Sequence, residues 1–184
     1  MLNKFNFESH RLGEITDNIK IVEPVLREAN LLTVDFKSIK ASELNFAHNY
    51  PNGFESNQLC SVLRYAGMSN NIDSVGFFEL LDSSISCALL SQSIWYFIEG
   101  FCLRVEEDPA STNFNGHTYN VQCEGTNLKF YKSELTQKWW VEFIDKSKIQ
   151  NIFSFFPCNK RDYLMACDEI LSDRLLMLLK REFI

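Results

Sequence analysis

Two carboxylates stand where an open α/β protein would put its chemistry. Asp35 closes the run Leu31-Leu32-Thr33-Val34-Asp35, and Glu79 closes Ser74-Val75-Gly76-Phe77-Phe78-Glu79-Leu80. Ligands of such sheets gather outside the carboxyl ends of the strands, so a pair of acids there is a candidate for binding a cation or a cationic substrate. The ordinary alternatives stay open: Asp35 capping the turn that follows its strand, and Glu79 as a solvated strand-end carboxylate. The histidines are weaker candidates. His10, His48 and His117 lack ligand spacing, although His48, in a loop beside Asn49 and Tyr50, would be within reach of Asp35. Cys60 with His48 would make a thiol–imidazole pair. However, Cys60 shares a helix face with Leu59 and Leu63, the setting of an inert core thiol.

Other signals point away from whole classes of chemistry. The six cysteines, at 60, 87, 102, 123, 158 and 167, include no Cys-x-x-Cys pair, so a zinc knuckle is not expected. There is no glycine-rich phosphate loop. Ser83-Ser84 is a helix-cap signature and not a nucleophile. A net charge of −6 without a basic stripe argues against nucleic acid. No apolar run reaches the length of a membrane span and no secretory signal is seen, so the expected compartment is cytoplasmic. Sixteen phenylalanines and three tryptophans bury a large core or mark a partner surface.

The elements that must hold the two acids follow from periodicity. Ile15, Ile19, Val22, Leu26 and Ala29 repeat at helical spacing over 12–30, and Pro24 should kink the helix or start its last two turns. Leu31–Phe36 and Ser74–Leu80 read as buried parallel strands. Between them, 37–54 is a loop with a turn at Pro51-Asn52-Gly53, and Glu55–Ala66 is a helix stopping at Gly67. Residues 83–103 form the longest helix, with Ile85, Leu89, Ser93, Tyr96 and Gly100 on one stripe. After a polar stretch at 105–118, Tyr119–Cys123, Leu128–Tyr131, Trp139–Ile144 and Phe153–Phe156 read as short antiparallel strands. Asp162–Lys180 reads as one closing helix. Trp139-Trp140 should send one ring into the core and leave the other free as an interface anchor.

Taken together, Leu12-Gly13-Glu14-Ile15, Val22-Glu23-Pro24, Leu32-Thr33-Val34-Asp35, Pro51-Asn52-Gly53-Phe54, Gly76-Phe77-Phe78-Glu79 and Ile94-Trp95-Tyr96-Phe97-Ile98-Glu99-Gly100-Phe101 resemble the C-terminal half of the ureohydrolases. That superfamily comprises arginases, agmatinases and formiminoglutamases, and the resemblance is to its arginase-like, formiminoglutamase-like branch. The tail segments Phe130-Tyr131-Lys132-Ser133, Trp139-Trp140-Val141-Glu142 and Pro157-Cys158 are similar to it as well. The resemblance implies a partial arginase-type three-layer αβα fold with parallel strands over 1–104. A small α+β extension would follow over 105–184.

The resemblance also implies what is missing. Family enzymes hold two manganese ions that activate a bridging water for attack on a guanidine or imine carbon. Their ligands are a His, an Asp-x-His-x-Asp stretch and a later Asp-x-Asp pair. Here Asp35 matches the first aspartate of that pair, Lys37 stands at the second, and Lys40 stands at a supporting aspartate. No Asp-x-His-x-Asp occurs. Glu79 matches the acid that meets the substrate's guanidinium. Asp35 and Glu79 are therefore vestigial metal and substrate positions, and no cofactor is expected. The expected function is a non-catalytic binding or structural subunit. The alternative is a hydrolase fragment that needs a separate N-terminal half. Loss of the first strands should leave a sheet edge open for self-association or a protein partner.

Overall fold

In the computed structural model the described residues are 8–45, 50–145 and 152–181. They form two units, His10–Glu106 and Glu107–Ile184, the latter joined by the N-terminal residues through Ser9.

In the first unit the opening helical pattern is broken ahead of Pro24, which falls in the first turn of a new helix, as the second of the two expectations had it. α1 (Leu12–Asp17) ends at Asn18, whose side chain accepts the Lys20 N–H across a 3-10 turn at Ile19–Ile21. α2 (Val22–Glu28) then carries Pro24 in its first turn, where a missing N–H forfeits no intrahelical bond. Proline is thus tolerated here, and an Asx-type competitor for the backbone makes the break. β1 (Leu31–Asp35) and β2 (Ser74–Phe78) pair in parallel with Leu32 beside Val75 and Val34 beside Phe77, as a βαβ unit requires.

The expected loop holds a 3-10 turn at Phe36–Ser38 and a short α3 (Ala41–Leu44). Gly53 seals it: a Cβ there would lie 2.5 Å from the Ser38 carbonyl oxygen. α4 (Ser56–Gly67) starts on a capping box of Glu55 and Gln58, and α5 (Ser84–Cys102) on the Ser83 hydroxyl, which accepts the Ser86 N–H at 3.1 Å.

α4 and α5 cross backbone to backbone. A Cβ on Gly67 would meet the Phe97 carbonyl oxygen at 2.1 Å, and one on Gly100 the Arg64 carbonyl oxygen at 2.2 Å. Leu59, Leu63 and Leu89 from these helices pack with Val34, Phe36 and Ile39. The strands are therefore covered on one face. Leu31 and Phe78, pointing the other way, are 59% and 54% exposed, in contrast to the burial on both faces expected from sequence.

The second unit is an antiparallel meander. β3 (Gly116–Cys123), β4 (Thr126–Ser133), β5 (Trp139–Asp145) and β6 (Ile152–Cys158) pair in chain order. Glu124 and Gly125, both at positive φ, make the two-residue turn between β3 and β4, the geometry that matches strand twist. Pro157 is tolerated because β6 is an edge strand. The closing helix is in fact two, α6 (Lys160–Cys167) and α7 (Asp173–Arg181), parted where Glu169 takes a positive φ. Ile170 is 53% exposed in this break. Asp162 ties the break together, accepting the Asn159 N–H and the Ser172 hydroxyl.

Both faces of the Trp139-Trp140 pair are covered. Trp139 stacks on Tyr119 and Tyr163, while Trp140 lies edge-on to Phe114 at 5.8 Å. The second ring is thus buried and is not a free anchor.

Candidate functional site

The register of β1 and β2 sets Asp35 beside Phe78, so the residues just past each strand come together at one end of the sheet. Asp35 spends its carboxylate locally. Its Oδ1 accepts the Lys37 N–H at 2.8 Å and its carbonyl accepts the Ser38 hydroxyl at 2.6 Å, capping the 3-10 turn. That turn swings Lys37 toward β2, where its Nζ lies 2.9 Å from Glu79 Oε2. The hydrogen bond to Glu79, and then its charge, raise the Lys37 ammonium above its ordinary pKa of 10.5. Glu79 is held with φ at +55°, a conformation rare for a residue with a Cβ. Its carboxylate meets the Lys37 ammonium.

Lys40 is matched in the same way. Its Nζ is 2.6 Å from Glu55 Oε1, at the start of α4. Next to it, Glu43 accepts the Ser56 backbone N–H at 2.9 Å and the Ser56 hydroxyl at 2.5 Å, which holds its carboxyl below the ordinary value. Each of the two lysines thus has a carboxylate partner. The site is a surface of three carboxylates, Asp35, Glu79 and Glu55, and two ammonium groups, Lys37 and Lys40, each of which is bonded to one of those acids.

The residues present do not fit a binuclear manganese centre. Hard divalent ions need several oxygen donors facing one point. Here Lys37 sits between Asp35 and Glu79, and among the described residues no group of three or more His, Cys, Asp or Glu side chains could hold a metal ion.

The remaining sequence candidates scatter. His48 lies outside the described residues. His117 is exposed on β3 of the second unit, where it pairs with Glu134 at 2.8 Å. Cys60 is buried in the first unit's core and burial pushes its thiol pKa up, as an inert thiol requires. Sequence reasoning found Asp35, Lys37, Lys40 and Glu79 but not the pairing of Lys37 with Glu79. No local pattern joins positions 42 residues apart; only the strand register does.

No family model matches this chain, and no curated protein does. Its fold is similar to the crystal structure of formimidoylglutamase from Bacillus subtilis subsp. subtilis str. 168, with a TM-score of 0.50 and 16% sequence identity over 56% of this chain. The match spans only 36% of that protein's length. At this identity the likeness establishes an arginase-type α/β fold for the matched part and nothing finer. Among the described residues no helix is long and apolar enough to cross a membrane.

Proposed function

We propose that this chain is a non-catalytic relative of the ureohydrolases that acts as a binding or structural subunit in the cytoplasm. One observation carries the reading: the Lys37 ammonium is bonded to Glu79 across the strand ends, at the point where an ureohydrolase would need anionic ligands and an open carboxylate. An ammonium at a ligand position repels a divalent ion. It also satisfies the carboxylate that a cationic substrate would seek. A second reading, a hydrolase fragment completed by a separate chain, is favoured by the chain's match to only 36% of the formimidoylglutamase.

Calorimetric titration with manganese, combined with urea release from arginine and ammonia release from formiminoglutamate, tests both. The first reading expects neither binding nor turnover, and Lys37→Asp should restore neither. Two equivalents of bound metal, or turnover abolished by Asp35→Ala, would mean a working enzyme. Metal binding that arises only after mixing with a chain carrying Asp-x-His-x-Asp would establish the second reading. As a binding subunit, the chain would engage a protein partner or a second copy through apolar surface left open in the 10–106 unit.

A further inference from the structure

α5 carries two seams on opposite sides. Gly100 meets α4, where its missing Cβ permits the close crossing, and Ser93 and Ser86, seven and fourteen residues before it, are buried on the same stripe. The other side presents Ser84, Cys87, Ser91, Ile94, Ile98 and Phe101, spaced three, four, three, four and three residues apart. That is the a/d repeat of a helix that packs against another helix. Among the described residues nothing covers it. All six positions are exposed, with Ile94 at 42%, Ile98 at 51% and Phe101 at 53%, and Trp95 beside them is 69% exposed.

Three properties of this seam select its occupant. The first is charge. Glu99 is the one charged residue of α5, and it turns toward Arg64 of α4 at 3.3 Å, so the seam itself bears no charge and offers no repulsion to a copy of itself. The second is shape. The N-terminal half of the seam is small (Ser84, Cys87, Ser91) and the C-terminal half is large (Ile94, Ile98, Phe101). Two such helices laid antiparallel about a two-fold axis set every large residue against a small one: Phe101 against Ser84, Ile98 against Cys87, Ile94 against Ser91. A parallel pair would stack large on large and leave a gap at the other end. The third is area. With Trp95, Ile94, Ile98 and Phe101 about half exposed, three smaller residues open beside them, and about 150–250 Å² for a whole aromatic side chain, the seam and Trp95 leave roughly 600 Å² open per copy. A symmetric pair would bury about 1,200 Å², above the ~1,000 Å² that a specific interface needs.

We propose that α5 is a homodimerisation helix, pairing antiparallel with α5 of a second copy about a two-fold axis between Ser91 and Ile94. A two-fold contact is self-complementary, which matches a seam whose two halves complete each other. This goes beyond the binding-subunit reading by naming the partner and the surface.

Sedimentation equilibrium of the full chain over a range of concentrations tests it. The wild type should be a dimer. Ile98→Glu, which sets a carboxylate on the seam of each copy, should raise the dissociation constant at least 100-fold with an unchanged far-ultraviolet circular dichroism spectrum. Ser91→Trp separates a fitted seam from general stickiness: a fitted seam loses its socket and dissociates, whereas non-specific association strengthens. For orientation, Ser91→Cys with Ile94→Cys, in a chain carrying Cys87→Ser, should cross-link on mild oxidation. Cross-linking of wild-type Cys87 to its own copy would mean a parallel pair and overturn the arrangement. A wild type that is monomeric, a dimer indifferent to both Ile98→Glu and Ser91→Trp, or association only with a different chain would overturn the proposal. The manganese and turnover assays are read separately, so failure of the dimer leaves the non-catalytic reading to stand or fall on its own.

Discussion

The antiparallel unit encloses its rings, and the parallel unit leaves several outside. Trp139, Trp140, Phe130 and Tyr131 are all buried among β3–β6 and the residues that pack on them, whereas Trp95, Phe101 and Phe78 are more than half exposed. Composition does not account for the difference, since both segments are rich in aromatics. Topology does. A four-stranded meander has enough strands to cover one face with α6 and α7 and line the other with Phe114 and Phe155. Two parallel strands with helices on one face cannot enclose the remaining apolar surface. The same residue types are therefore core in one region and surface in the other.

Substitutions can break or sharpen that contrast. The largest expected effect is Trp139→Ala, which empties a ring stacked on Tyr119 and Tyr163 and should cost about 3–5 kcal/mol in urea unfolding. Trp95→Ala, measured in the Ile98→Glu chain, should stay within about 0.5 kcal/mol, as for an exposed position. Equal losses at the two sites would abolish the contrast.

Next comes Gly100→Val. Its branched side chain would drive α4 from α5 against the Arg64 carbonyl and should cost about 3 kcal/mol or more. A near-neutral result would show that the parallel unit is loosely packed within as well as bare without.

A smaller effect is expected from acid. The hydrogen bonds from Ser56 lower the folded pKa of Glu43 below its ordinary 4.5. Its contribution to stability is therefore present above the unfolded pKa and lost as pH falls through the folded value. Glu43→Gln should flatten the decline in melting temperature on the acid side of pH 4.5 and leave the neutral region nearly level.

The smallest effect is Lys37→Ala, which removes an ion pair more than half exposed on both sides. The melting temperature at pH 7 should not change within error, and a fall of several degrees would make the pair a structural clamp.

Much of the fold was legible because alternation and helical spacing are local. The parallel pairing of 31–35 with 74–78, the four antiparallel strands and the long helix all follow from such patterns. What was hidden depends on which side of an element meets a neighbour. α5 is apolar on nearly every side, so its periodicity could not say which stripe faces in. Leu89, Ser93 and Gly100 were read correctly as inward, but Ile85 and Tyr96 are exposed. The breaks at Asn18 and near Glu169 were hidden because apolar spacing runs straight through both. At the candidate site the acids and lysines were visible as residues. Their pairing was not, because it depends on a turn that carries Lys37 across to the neighbouring strand.

The sequential order of β3–β6 has a kinetic consequence. Each of those strands pairs with its neighbour in the chain, and the first hairpin closes over two residues, an event on the scale of about 1–10 μs. Joining Leu31 to Ser74 must instead wait for α4 to form and dock, and non-local parallel pairing is intrinsically slow. Synthesis runs in the opposite sense, delivering 10–106 first at about 5–20 residues per second. Of the two segments, the one that leaves the ribosome earlier is thus the slower to close, and it also keeps an open helix face after closing. During translation, neighbouring ribosomes on one message would hold several such faces close together, so α5 would find its likeness most readily beside the chain being made next to it.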